Sequence, residues 1–193
     1  MKKRILIIQG HPSRDQHHFG HALAGVYREA AGAAGHEVRQ ADVALLEFPL
    51  LREAEDWSKG TVPEALRTAQ ADIGWAEHLV IIFPLWSGTL PALTKGFFEQ
   101  VARPGCAFRP RPDGKGLMPG WSGKTARVVV TMGMPAWLFR LQGARGIRAF
   151  SRDLLGFCGI KPARTTYIGQ VDGKSFKPAD WLDRMRRLGS AAE

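Results

Sequence analysis

Apolar residues along the chain follow two periods, and the switching between them predicts strands separated by helices. Arg4–Ile8 is a short continuous apolar run ending at Gln9-Gly10, the pattern of a strand buried on both faces. Phe19, Leu23, Val26, Tyr27 and Ala30 then recur at helical spacing until Gly35 stops the helix. A second strand is expected near Glu37–Asp42, around Val38 and ahead of Val43 and Leu45. Pro63 opens a helix carrying Leu66, Ala69, Ile73 and Ala76 on one face. His78–Phe83 is the clearest buried strand, and Pro91 opens a helix with Leu93, Phe97, Phe98 and Val101. Ala126–Thr131 is a further β-branched run. A helix around Gly146–Gly156, a strand at Arg164–Ile168 and a helix at Ala179–Leu188 complete the pattern. Arg103–Lys124 stands apart as a Pro/Gly-rich connection longer than compact domains usually carry, and such segments tend to be functional or mobile.

Five strands alternating with helices imply an α/β fold, a parallel sheet with helices on both faces. Right-handed crossovers leave few topologies, and five strands suit a flavodoxin-like three-layer fold in the order 2-1-3-4-5. At 193 residues the chain is read as one such domain, 1–193. Ligands of these sheets bind beyond the carboxyl ends of the strands, where the strand order reverses. The loops after Ile8, Phe83 and Thr131 are therefore the ones to examine.

Composition narrows the function classes. With 45% hydrophobic and 23% charged residues the chain reads as an ordinary globular protein. Cys106 and Cys158 lack metal-site spacing and are expected as free thiols. The opening MKKRILII has too short an apolar run for a signal peptide, and no stretch approaches the roughly 20 apolar residues of a membrane span. A cytoplasmic protein is the expectation. The net charge of +9 comes from 27 Lys+Arg against 18 Asp+Glu. These cations are scattered, and the cluster of Arg184, Arg186 and Arg187 has no interleaved aromatics, which argues against a nucleic-acid partner. A positive field of this kind suits phosphorylated dinucleotides.

The first loop, Gln9 to Gly20, lacks both the dinucleotide GxGxxG and the P-loop pattern. An anion at the following helix start would be held by His11, Ser13, Arg14 and amides near His18 and Phe19. The plainer reading is a polar turn capped by Ser13 or Asp15. His17 and His21 stand four apart, but nothing completes a coordination shell, and no metal is expected.

The second loop is more specific. Phe83-Pro84-Leu85, an aromatic turn, Pro91-Ala92-Leu93, then Lys95-Gly96 and an amphipathic helix resemble the signature of the NAD(P)H:quinone reductase family. His11, Phe19 and Phe157-Cys158-Gly159 match as well, so the resemblance covers all but the segment after Val101 and the C-terminal part. It implies a flavin-dependent enzyme that passes hydride from NAD(P)H through flavin N5 to a quinone or similar electrophile. Pro84, Leu85, Trp86, Ser87 and Gly88 would line the isoalloxazine with apolar surface and backbone donors. Amides of Thr131, Met132, Gly133 and Met134 would face its pyrimidine side. Phe19 tips the cofactor toward FAD, with FMN as the alternative. The resemblance also implies a homodimer, for which Phe97, Phe98, Trp121 and Trp137 offer aromatic surface. The family's catalytic Tyr and His fall on Phe139 and Arg145, and its aromatic substrate pair on Ser87 and Gly88. Arg145 is then the residue left to offset charge during hydride transfer. Two other roles fit the same motif: an electron carrier, or a regulatory flavoprotein with a peripheral membrane partner.

Overall fold

The computed structural model describes all residues from Met1 to Glu193. The chain runs through β1 (Arg4–Gln9), α1 (Phe19–Ala33), β2 (Glu37–Asp42), a short 3₁₀ turn (Val43–Leu45), α2 (Ala54–Ser58) and α3 (Glu64–Trp75). It continues with β3 (His78–Pro84), α4 (Ala92–Val101), β4 (Phe108–Pro110), β5 (Leu117–Pro119) and β6 (Thr125–Thr131). Last come α5 (Ala136–Leu141), α6 (Arg145–Ala149), a π-helical turn (Phe150–Leu155), β7 (Ala163–Ile168) and α7 (Pro178–Ala191).

The main sheet is parallel and ordered β2-β1-β3-β6-β7, the order expected from the five-strand pattern once the inserted β4–β5 pair is set aside. Its three inner strands are apolar on both faces, and alternation sorts their side chains into two cores. Leu6, Ile8, Leu79, Ile81, Val128 and Val130 pack with α3 and α4 through Leu66, Ile73, Phe97 and Phe98. Ile5, Ile7, Val80, Ile82 and Val129 pack with α1 and α7 through Leu23, Tyr27 and Met185. No helix is long and apolar enough to cross a membrane.

Three expectations change. The helix expected over Gly146–Gly156 is two pieces, α6 and the π-helical turn, and α5 precedes them. Ala144, left-handed at φ 45°, separates α5 from α6, a break that hydrophobic spacing does not show. The long connection after Val101 is tied down rather than loose. Its Phe108–Pro110 and Leu117–Pro119 pair antiparallel, Trp121 is buried, and the Arg103 guanidinium donates to Gln100, Asp56, Trp57 and Gly60 carbonyls. Phe97, Phe98 and Trp121 are also core residues, at most 1% exposed, so they supply no dimer surface; only Trp137 of the expected four is exposed. Cys106 and Cys158 are free thiols.

The close approach of α1 and α7 depends on Gly189, where an added Cβ would lie 2.5 Å from the Tyr27 carbonyl oxygen. That neighbour is helix backbone and cannot rotate away. Gly189→Val should therefore lower the unfolding free energy by about 1–3 kcal/mol, read from urea midpoints. A second test concerns pH. His78, 3% exposed at the start of β3, has its pKa pushed down to about 3 by burial and then by the Lys3 and Arg127 charges. The unfolded chain holds that proton up to about its ordinary pKa of 6.5, so between the two values it binds more protons than the folded state. Stability should fall as pH drops through this window, and His78→Gln should flatten the decline in unfolding titrations.

Candidate active site at the carboxyl ends of the inner strands

The loops after β1, β3 and β6 meet in one cleft of about 320 Å³. It is lined by His11, His18, Phe19, Pro84, Leu85, Trp86, Thr131, Met132 and Gly133 from the three expected loops, with Gly20, Val171 and Asp172 added.

In the first loop, local side-chain bonds shape the turn instead of capping the helix. The Ser13 hydroxyl accepts from the Asp15 amide at 3.1 Å, and the Asp15 carboxylate accepts from the His17 amide at 3.0 Å. The residue before α1 is His18, which makes no side-chain cap. The amides of His18, Phe19 and Gly20 thus donate to no backbone carbonyl, and they open at the N-terminus of a 15-residue helix. His11 Nδ1 accepts from the Ser13 amide at 3.1 Å, which leaves the proton of the neutral ring on Nε2. Burial, with His18 and His21 beside it, pushes the His11 pKa down to about 4, so near pH 7 the ring contributes a hydrogen-bond donor and no charge. Its ring stacks on His18 with centroids 3.8 Å apart, and His21 lies 5.9 Å away. His17, by contrast, points to solvent and pairs with Asp15 at 2.7 Å. Arg14 reaches away to Glu47 at 3.0 Å and to the Ala44 carbonyl, so its guanidinium is already engaged.

Gly10 is fixed by packing. Its amide donates to the Ile82 carbonyl at 2.7 Å, and a Cβ would stand 2.8 Å from Thr94. The Thr94 hydroxyl donates to the Gly10 carbonyl at 2.5 Å, pinning the first loop to α4.

The second loop is a tight hairpin. Trp86 and Thr89 exchange backbone bonds of 3.0 and 2.9 Å, and the two residues between them are both left-handed, Ser87 at φ 46° and Gly88 at φ 79°. A serine in that region carries strain of about 1–2 kcal/mol. The turn leaves the Ser87 and Gly88 amides without backbone acceptors and holds Trp86 half exposed, at 51%, over the cleft. Ser87 and Gly88 themselves line a neighbouring hollow of about 610 Å³ between α4 and the π-helical turn.

In the third loop the Met132 amide is already spent on the Ile168 carbonyl at 2.8 Å, and the Thr131 carbonyl accepts from Leu85 at 2.8 Å. Gly133 and Met134 keep amides that donate to no backbone carbonyl. Phe139 is 6% exposed and packs edge-on against Tyr167 in the core, 5.8 Å between centroids; it does not line the cleft. Arg145 is exposed at the start of α6, outside the lining. Its neighbour Gly146 abuts the hairpin tip, where a Cβ would lie 2.5 Å from the Gly88 carbonyl.

Besides Val171, two polar residues of this region escaped the sequence reading. Gln9 closes β1, its side-chain oxygen accepts from the His11 amide at 3.1 Å, and its Nε2 is buried without a partner. Asp172 arrives from the segment after β7, with Oδ2 3.2 Å from where a Cβ on Gly133 would be. Only the end-of-strand position of Gln9 could have flagged it; Asp172 had no signal.

The sequence model of the flavodoxin-like fold family matches residues 3–190. An uncharacterized NAD(P)H oxidoreductase of Haemophilus influenzae is 24% identical over 172 residues, covering 86% of this chain and 83% of that protein. An FMN-dependent NADH:quinone oxidoreductase of Vibrio parahaemolyticus is 30% identical over 129 residues, 64% of this chain and 63% of its own length. The solved NAD(P)H:quinone oxidoreductase of Methanothermobacter marburgensis shares the fold, with a TM-score of 0.80 at 24% identity over 100% of both chains. The chain belongs to the flavodoxin-like fold family, among relatives named as NAD(P)H oxidoreductases and NAD(P)H:quinone oxidoreductases.

Proposed function

We propose that the chain, acting as a single flavin-binding unit, is an NAD(P)H oxidoreductase that reduces a quinone or similar small electrophile. One observation carries this reading: a single cleft joins a set of uncommitted amides at a helix N-terminus to an apolar wall of Pro84, Leu85 and Trp86. A phosphate fits the first part, where the His18–Gly20 amides and the His11 Nε2 donor converge. A flat aromatic ring fits the second, with the free amide of Gly133 as an edge donor and those of Met134, Ser87 and Gly88 at its margin. When bound, a flavin would supply the redox chemistry, taking hydride at N5 and delivering two electrons to the acceptor. The protein's part is to hold the ring, leave one face open and offset negative charge.

FMN is the flavin this reading adopts. Phe19 pointed to FAD, yet in the structure it lines the cleft and packs edge-on against Phe176 at 5.1 Å. The Vibrio parahaemolyticus and Hahella chejuensis relatives are both named FMN-dependent. Pairing of two copies is part of the same reading, now supported by exposed Trp86, Trp137, Leu141 and Phe157 in place of the buried aromatics.

Purified protein titrated with FMN should bind one flavin per chain and then oxidise NAD(P)H only when a quinone is added. His11→Ala should weaken FMN binding about tenfold, the loss of one hydrogen bond to a charged oxygen. Flavin binding without NAD(P)H oxidation would favour the electron carrier, and no flavin binding at all would end the reading.

Arg145 carries the charge-offsetting role in this scheme. Phe139 has no hydrogen to donate, whereas the permanently charged guanidinium of Arg145, next in sequence to the Gly146 that abuts the hairpin tip, attracts anionic charge without moving a proton. Arg145→Ala should slow reduction of the bound flavin by roughly ten- to a hundredfold, as loss of about 1.4–2.7 kcal/mol of stabilisation would. Stopped-flow rates that do not change would return the whole task to the Gly133 and Met134 amides.

A further inference from the structure

The amino ends of the strands carry a second polar site, on the far side of the sheet from the cleft. Strand alternation puts His78, Thr125, Arg127, Arg164 and Thr166 on the face that α1 and α7 cover, below the apolar Val80, Val129 and Ile168. A cavity of about 160 Å³ opens there, lined by Lys3, His78, Thr125, Ala126, Pro162, Arg164, Ala192 and Glu193. That is room for several waters at roughly 30 Å³ each, or for one tetrahedral oxyanion.

Its donors outnumber its acceptors. His78 Nδ1 lies 2.6 Å from the Thr125 hydroxyl, and Nε2 is buried with no partner. With Thr125 donating to Nδ1, the orphaned Nε2 carries a hydrogen. Arg127, 6% exposed, donates from Nη1 to Thr166 at 3.1 Å but keeps Nε buried and unpartnered. Lys3 spends one hydrogen on the Ala192 carbonyl at the end of α7 and has two more. Arg184 adds its field to that of Arg127. Against these cations stands one side-chain carboxylate, Glu193, 3.1 Å from Arg164 and 3.9 Å from Arg127. The Glu193 backbone is a further acceptor beside His78 and partly offsets the lowering of its pKa. Burying unpaired donors costs about 1–3 kcal/mol each, and water alone would leave the excess positive charge in place.

We infer that this pocket binds a small oxyanion of the phosphate class, held by Lys3, His78 and Arg164 with the field of the buried Arg127 behind them, and with the Glu193 carboxylate as its displaceable internal competitor. The site is independent of the flavin reading and shares no residue with that cleft.

Inorganic phosphate is the probe, compared with chloride at equal ionic strength, using purified protein with and without FMN. Calorimetry of the FMN-loaded protein, whose cleft is filled, should show saturable binding of one phosphate with a rise in melting temperature, and the same binding should persist without FMN. Arg164→Ala should weaken it about tenfold, and Glu193→Gln should tighten it about three- to tenfold by removing the competing charge. Both side chains are more than half exposed, so the variants should fold. His11→Ala, which disables the other phosphate-sized site, should leave this binding unchanged. No phosphate-specific binding, or binding lost in His11→Ala and kept in Arg164→Ala, overturns the inference.

Discussion

Burial of β1, β3 and β6 on both faces is the constraint on which the rest of the structure depends. Ile5 to Ile8, Leu79 to Ile82 and Val128 to Val130 are essentially unexposed, so the register of each strand is fixed by two cores at once. A one-residue slip would exchange the contents of the two cores and strand His78 and Arg127 among the aromatics of α4. Register in turn decides where each strand stops. Gln9 pairs with Ile82, and Pro84 with Thr131, so the three following loops leave the sheet at one level and must share space.

Each of those loops leaves hydrogen-bonding capacity unused, and each does so by a different device. In the first, a helix starts without a side-chain cap because Ser13 and Asp15 bond the turn instead. In the second, a left-handed Ser87-Gly88 pair turns its amides away from the hairpin. In the third, the Ile168 carbonyl takes the Met132 amide while those of Gly133 and Met134 meet no backbone acceptor. Uncapped amides and a strained serine both cost stability, and such costs collect where a ligand offsets them. Their convergence is a stronger argument for a binding site than any one of them.

The sequence was most legible where packing alone decides the outcome. Continuous apolar runs located the inner strands within a residue or two, since a strand buried on both faces has no alternative composition. Pro84, Leu85 and Trp86 line one cleft with the other two loops because they are neighbours in sequence at a strand end, while Ser87 and Gly88 border the hollow beside it. Long-range placement was less legible. Asp172 reaches the cleft from beyond β7, and Phe139 turns into the core against Tyr167, away from the cleft. Neither fact is written in local periodicity. The aromatics assigned to a dimer surface failed for a related reason: Phe97 and Phe98 pack on Phe48 and Phe150 from distant parts of the chain, and Trp121 is buried in the same core, partners that chain order does not reveal.

The two ends of the sheet show how one basic chain can treat anions in two ways. At the carboxyl ends, burial and mutual repulsion keep His11 neutral near pH 7, and Arg14 is drawn off to Glu47. Attraction there rests on oriented dipoles, which reward a phosphate placed at the helix axis and lose strength within a turn of it. At the amino ends the attraction comes from permanent charges on Arg127 and Arg164, which reach further and discriminate less by position. Helix α7 sharpens the contrast, because its carbonyl end faces this region and by itself favours cations. Lys3 answers that carbonyl end, bonding the Ala192 carbonyl, and so accounts for one cation. Arg127 has no such partner for Nε, and strand alternation directs it beneath α1 and α7 whatever its side chain requires. An arginine fixed there by register, with one donor unused, needs a counter-charge that Glu193 at 3.9 Å supplies only in part.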